Sequence, residues 1–209
     1  MAKYPATYIQ ITNACNMRCA HCCYECKPHG EYMSVDTFRQ AVSWHKGNHL
    51  NIGGGEPTLH PDIFDIVDIA VNTGHHVWMV INGKLGQKAL KLAEMTDSIE
   101  NFYCKLSRDR WHQPISEEVV EAFAQIGKIH KVKTPIVGGR WKRKGRNVCQ
   151  NSNKPFVRPS GNVHQCGCMD APCVGDVFNG FHPVDGKWEC ANGMKHTKPG
   201  RPTQNAVKY

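Results

Sequence analysis

Strand-like and helix-like segments alternate about every 25 residues over the first two thirds of this chain. That alternation builds a parallel sheet covered by helices. Tyr8-Ile9-Gln10-Ile11-Thr12 reads as the first strand. Ser34 stands as an N-cap, Asp36 falls in the first turn, and Val35, Phe38 and Val42 share a face, which predicts a helix to about Lys46. His49-Leu50-Asn51-Ile52 is a short second strand. Pro61 is placed at a helix N1, and Ile63, Ile66, Val67 and Ala70 repeat at helical spacing. His76–Ile81 is continuously apolar, as a strand buried on both faces would be. A third helix follows over Leu85–Met95, then a fourth strand over Phe102–Ser107. Ser116 caps a fourth helix, with Glu117 and Glu118 at its positive end and Val119, Val120, Phe123 and Ile126 on its core side. His130–Val137 is a fifth strand, interrupted by Pro135. Such units are too few to close an eightfold barrel. The expected fold is α/β: an open, partial parallel (β/α) barrel of five to six units, with a small Cys-rich C-terminal extension containing a β-hairpin. The expected divisions are 1–138 for the barrel, 139–190 for the extension and 191–209 for a polar tail.

The chemistry is concentrated at the end of the first strand. Cys15-Asn16-Met17-Arg18-Cys19-Ala20-His21-Cys22 places three thiols at C-x3-C-x2-C. Zinc sites usually pair thiols as C-x2-C with a distant second pair, which this spacing fits poorly. Fe–S clusters are normally held by four Cys. Three thiolates with no fourth suit a cubane cluster whose last iron is left for another ligand. Cys23 and Cys26 follow as further thiols beside the loop.

Eleven cysteines in 209 residues, with no apolar h-region after Met1, point to metal ligation in a reducing compartment rather than to disulfides. With no run of 18 apolar residues there is no membrane span, and a cytoplasmic location is expected. The net charge of +8 is uneven: nine Lys or Arg and no Asp or Glu lie between Lys131 and Arg158. Such a block attracts phosphate, nucleic acid or acidic peptide, or is simply a solvated basic loop.

The cysteine loop resembles the signature of the radical S-adenosylmethionine (radical SAM) superfamily, in which the position before the third Cys is usually aromatic or His, as His21 is here. The resemblance implies that Cys15, Cys19 and Cys22 ligate a [4Fe-4S] cluster and that the amino and carboxylate groups of SAM chelate the fourth iron. It implies an enzyme that cleaves SAM to a 5′-deoxyadenosyl radical, which takes a hydrogen atom from a substrate. A reducing partner such as flavodoxin or ferredoxin is then expected. Gly53-Gly54-Gly55-Glu56-Pro57, read alone, is a tight strand-to-helix turn. It resembles the family's Gly-Gly-Glu-Pro motif, which implies that Gly54, Gly55, Glu56 and Pro57, with Gly53 beside them, hold the methionine amino group. Asn82-Gly83 resembles the Asn-Gly found after the third strand, and Ser107 a Ser near SAM; Asp109 follows as a further candidate contact. Cys104 and His112 are candidate donors of a hydrogen atom or proton. The family's adenine-contacting motif has only Ile136-Val137-Gly138 as a counterpart.

A second group, Cys149, Cys166, Cys168, Cys173 and Cys190, surrounds a hairpin read over Val157–Val163. Cys149, Gly161 and Cys166 resemble the start of the SPASM/twitch extension, C-x9–15-G-x4-C, which implies one auxiliary [4Fe-4S] cluster held by at most four of these five. The full seven-Cys SPASM pattern is absent, and structural zinc remains the alternative. The basic block, with Trp141 able to stack on a base, favours a nucleotide or nucleic-acid base as substrate. A ribosomal peptide or a small molecule to be dehydrogenated is the alternative. A non-catalytic zinc or Fe–S protein that binds nucleic acid is the competing reading, and it leaves the Gly-rich turn unexplained.

Overall fold

The computed structural model describes residues 6–131, 155–168 and 171–182. Its elements run β1 (Ala6–Thr12), α1 (Val35–Trp44), β2 (His49–Gly54), a 3₁₀ turn (Pro57–Leu59), α2 (Ile63–Val71), β3 (His76–Ile81), α3 (Gly86–Ser98), β4 (Phe102–Ser107), α4 (Glu117–Gln125), β5 (Ile129–His130), β6 (Phe156–Val157), β7 (Asn162–His164), β8 (Cys173–Asp176) and β9 (Gly180–Phe181). They form one nine-stranded sheet in the order β5-β4-β3-β2-β1-β6-β7-β8-β9. β1 to β5 are parallel neighbours, and β6 adds a sixth parallel strand on the other side of β1. An α/β fold with an open, parallel-strand core is thus what the alternation builds.

One face of the sheet packs on the helices. Ile9, Ile11, Leu50, Ile52, Val77, Met79, Ile81, Phe102 and Leu106 meet Phe38, Ile66, Val67, Leu92 and Phe123 in a single core. The period of two sends the alternate residues to the opposite face. β3 shows this most clearly: it alternates between buried and half-buried positions, so the apolar run is not buried on both faces. Trp78 and Val80 face away from the helices and Val80 borders a cavity.

Several local expectations need correcting. Ser34 does cap α1, its Oγ accepting the Thr37 N–H at 3.1 Å. Ser116 occupies the cap position of α4, but its side chain makes no capping bond. Pro61 lies before α2 rather than at its N1, because Asp62 is the cap and a 3₁₀ turn intervenes. β5 is a two-residue strand, and the remainder of the expected strand from residue 132 lies outside the described residues. The hairpin is present: Val157 pairs with Val163 antiparallel, and the turn closes where Gly161 N–H donates to the Arg158 carbonyl at 2.9 Å. Among the described residues, no helix is long and apolar enough to cross a membrane.

Candidate functional site

The first cysteine loop leaves the C-terminal end of β1 and is held by its own backbone. Cys15 N–H donates to the Lys27 carbonyl at 2.6 Å, and Cys22 N–H to the Cys19 carbonyl at 3.2 Å. Asn13 Oδ1 accepts the Glu31 N–H at 2.7 Å, which pins the far end of the loop. The Gly-rich turn after β2 locks onto the same loop: Gly55 N–H donates to Thr12 O and Glu56 N–H to Ala14 O, both at 2.8 Å. The glycines are required at that contact. A Cβ on Gly54 would overlap the Thr12 carbonyl oxygen, and one on Gly55 the Ala14 carbonyl oxygen. Gly54 also has φ +144°, which an L side chain rarely adopts. Gly53 is covered by the Tyr8 hydroxyl. The turn therefore lets two pieces of protein backbone meet, a use of glycine that spacing alone did not distinguish from close approach to a ligand.

Glu56 is 1 % exposed and its carboxylate is fully engaged. Oε1 accepts from the Thr58 N–H (3.1 Å) and hydroxyl (2.5 Å), and Oε2 from the Asn82 N–H (2.7 Å). Burial pushes its carboxyl up to about 7 against the pull of those three donors. Asn82 continues the chain of contacts. Its Nδ2 donates to Asn16 Oδ1 at 2.8 Å and lies 4.0 Å from Cys15 Sγ, and its Oδ1 accepts the Lys84 N–H at 2.9 Å. Lys84 Nζ reaches the Asn16 carbonyl at 3.0 Å. Asn16, Thr58 and Lys84 were not singled out from sequence. Thr58, two residues past Glu56, is the one a local turn motif flags.

These elements open on a cavity of about 440 Å³ at the C-terminal ends of β1 to β4, where parallel α/β folds place their sites. Cys15, Cys19, Cys22, Gly54, Gly55, Glu56, Asn82, Ser107, His21 and His112 all line it. Pro57, which begins the 3₁₀ turn, is buried behind it. Cys23, Tyr8, Tyr24 and Phe156 form another part of the wall, the Tyr8 and Phe156 rings stacking at 4.9 Å. Burial pushes the Cys23 thiol up to about 12, and Cys26 is buried against the loop.

Three thiols on one loop beside the cavity are a donor set that an Fe–S cluster uses. The Met17 N–H donates to Cys15 Sγ at 3.4 Å, the type of outer contact that tunes a cluster thiolate. Burial pushes the Cys15 thiol up to about 11, with Glu56, Cys22 and Cys19 adding to it. Metal ligation would have to displace that proton.

Besides Gly53 and Pro57, Cys104 and Asp109 fall outside the cavity wall. Cys104 is fully buried in the core on the helix side of β4, and burial raises its thiol well above the ordinary range. Asp109 does not line the cavity; its Oδ1 accepts the Trp111 N–H at 3.0 Å and lies 2.8 Å from His112 Nδ1. Burial alone would raise its carboxyl, but the Trp111 N–H and the His112 ring outweigh that and hold it below the ordinary value. His21 packs against Trp111 and meets His112 edge-on at 5.1 Å.

In the second group, Cys166 is buried and its Sγ accepts the Cys168 N–H at 3.5 Å. Cys173 is exposed. Cys149, Cys190 and most of the basic block, Trp141 included, lie outside the described residues, as do Ile136-Val137-Gly138. The hairpin nevertheless abuts the first site. Arg158 donates to the Cys168 carbonyl at 2.9 Å and stacks on Phe156, and Gly167 borders the cavity.

Residues 9–140 match the Radical SAM superfamily profile. Mycofactocin maturase MftC of Mycobacterium ulcerans (strain Agy99) is 36 % identical over 76 residues, which cover 32 % of this chain and 19 % of that protein. The 7-carboxy-7-deazaguanine synthase of Halobacterium salinarum (strain ATCC 29341 / DSM 671 / R1) is 32 % identical over 93 residues, covering 43 % of this chain and 36 % of its own length. The chain thus spans well under half of these relatives. A crystal structure of BtrN in complex with AdoMet and 2-DOIA superposes with a TM-score of 0.61 at 17 % identity, covering 83 % of this chain and 78 % of that one. That likeness shows a shared fold.

Proposed function

This chain belongs to the radical SAM superfamily, a family of enzymes that use a [4Fe-4S] cluster and SAM and need a reductant, and on that premise we propose that it abstracts a hydrogen atom from a nucleotide or nucleic-acid base. The observation that carries the reading is the convergence of the three thiols, the Gly-rich turn and Asn82 on one cavity. When bound there, the cluster and SAM would supply a 5′-deoxyadenosyl radical. Cys15, Cys19 and Cys22 would hold the cluster. Exposed edges of the turn at Gly54 and Gly55 would receive the methionine end of SAM, with Glu56 bracing the turn from behind through Thr58 and Asn82. Ser107 and His21 would meet the rest of the cofactor. Of the two candidate donors, His112 is supported by its place on the cavity wall, and Cys104 is not. Flavodoxin or ferredoxin is the proposed reductant. Cys149, Cys166, Cys168, Cys173 and Cys190 are the proposed source of up to four ligands to an auxiliary [4Fe-4S] cluster, in a C-terminal unit 139–190 that follows the barrel 1–138 and precedes the tail 191–209.

The nucleotide reading is supported by the basic block between Lys131 and Arg158 and by the name of the deazaguanine synthase relative. A peptide substrate is the second reading, supported by the maturase relative. Anaerobic reconstitution tests the core of the proposal. Iron content and EPR with and without SAM are compared between the wild type and a Cys15→Ala/Cys19→Ala/Cys22→Ala variant. About eight irons in the wild type, about four in the variant and a SAM-dependent signal in the wild type alone are expected for two four-iron clusters. No iron and no response to SAM would remove the proposal. Replacing Lys142, Arg143, Lys144 and Arg146 with Ser should weaken polyanion binding and flatten its salt dependence. Unchanged binding would turn the substrate assignment towards peptides.

A further inference from the structure

We propose that Asp109 is a positioning residue for His112: it fixes the imidazole with Nδ1 protonated and sets the bare Nε2 towards the cavity, where Nε2 accepts a proton from an O–H or N–H of the substrate. One turn of chain after β4 supplies both groups. Asp109 Oδ1 accepts the Trp111 N–H at 3.0 Å, and the His112 N–H donates to the Asp109 carbonyl at 3.1 Å, which closes the turn. The carboxylate and the ring then meet, with Asp109 Oδ1 2.8 Å from His112 Nδ1. Burial alone would raise the Asp109 carboxyl, but the Trp111 N–H and the His112 ring outweigh it and hold the group below its ordinary value, so it is ionised at neutral pH. An ionised carboxylate can only accept. The proton of this bond is therefore on Nδ1, and the neutral ring keeps its lone pair at Nε2.

Placement gives the direction of Nε2. His112 lines the cavity and Asp109 lies behind the wall, so the ring nitrogen opposite Asp109 is the one left to the cavity. The His21 ring, itself against Trp111, meets His112 edge-on at 5.1 Å and holds the imidazole from a second side, while His21 keeps its place beside the cofactor. The carboxylate also has charge to give. Its side chain is 6 % exposed, and Oδ2 is buried without a hydrogen-bond partner. The neighbouring guanidinium groups are directed elsewhere: Arg108 reaches Glu117 at 3.5 Å, and Arg110 lies over the Trp111 ring. When Nε2 takes a proton, the electron pair of the broken bond stays on the substrate, and the ring becomes an imidazolium whose charge Asp109 balances. The pairing of Asp109 with His112 stands on these contacts, while the transfer from a substrate rests on the proposed function.

Two measurements on the reconstituted full-length protein test the arrangement, with the cluster held in its oxidised state. Nitrogen-15 NMR of histidine-labelled protein reads which ring nitrogen carries the proton, and His112→Gln identifies the His112 signals among those of the twelve histidines. Iodoacetate, small enough to enter the cavity, then reports which nitrogen is open to it, through the site of carboxymethylation found in the digested protein. The wild type should show His112 protonated at Nδ1 and carboxymethylated at Nε2. Asp109→Ala should lose the single tautomer and spread the carboxymethyl group over both nitrogens, an effect that removal of a merely structural side chain would not have. The wild-type results need no substitution, so they decide the matter even where Asp109→Ala does not fold. A wild-type ring protonated at Nε2 when neutral, attack through Nδ1, no reaction at His112, or an unchanged tautomer and site of attack in folded Asp109→Ala would overturn the proposal. Iron content and the SAM-dependent signal are read on the same samples. Loss of those signals with the Nε2 result retained would remove the radical chemistry and leave the pairing of Asp109 with His112 standing.

Discussion

Glu56 shows how one side chain can join three segments. The sequence places it beside the Gly-rich turn, and its two oxygens accept from Thr58 and Asn82. Replacing it with Gln sets an amide NH₂ against donors, which should destabilise the protein by about 1–3 kcal/mol. The size of that effect depends on pH. The folded carboxyl sits near 7, above its unfolded value of 4.5, so the native state holds the proton over that interval. Wild-type stability therefore falls as pH rises from 4.5 through 7, by about 3 kcal/mol in all. The deficit of Glu56→Gln in urea unfolding should be largest near pH 5 and shrink towards pH 8; a constant difference would contradict the assignment. Gly55→Ala makes a different test. Its methyl group has only the Ala14 carbonyl to displace, so the cysteine loop must shift. Iron bound after reconstitution should drop sharply, together with a fall in Tm.

At the scale of elements, helix starts that read alike in sequence behave differently. Ser34 and Ser116 both precede amphipathic helices with acidic first turns, but only Ser34 bonds the exposed N–H group. Ser34→Ala should cost about 1 kcal/mol and Ser116→Ala a few tenths at most. Equal losses in chemical denaturation would show that the α4 cap forms in solution. The α1 helix also ties the β8–β9 turn to the barrel. Trp44 Nε1 donates to the Val177 carbonyl at 2.6 Å, and its ring packs on Phe181. The hairpin was legible from Pro159-Ser160-Gly161-Asn162, because a turn of that composition is a local matter. The Trp44–Val177 contact beyond it was not, since those two residues are far apart in the chain.

For the molecule as a whole, β6 converts β1 from an edge strand to an interior one, with Tyr8 N–H donating to the Pro155 carbonyl at 3.1 Å. A fragment ending at Lys131 would bare that edge and the aromatic wall of Tyr8 and Tyr24. It should aggregate where the full chain stays in solution, as light scattering would show. A monodisperse, folded fragment would mean that the extension is dispensable. By itself, the sequence determined the βαβ order, the first four strands, the β6–β7 hairpin, most helix faces and the cysteine loop with its companion motifs. These depend on periodicity and on spacing over a few residues, where the chain's own geometry fixes what meets what. Tertiary structure alone decided that β6 joins the sheet beside β1, that the glycines admit backbone, that Glu56 faces inward and Cys104 faces the core, and that Asp109 holds His112 against His21. Each of those outcomes depends on which face of a strand or loop is turned to a distant partner, and that is set by packing between segments that no local pattern connects.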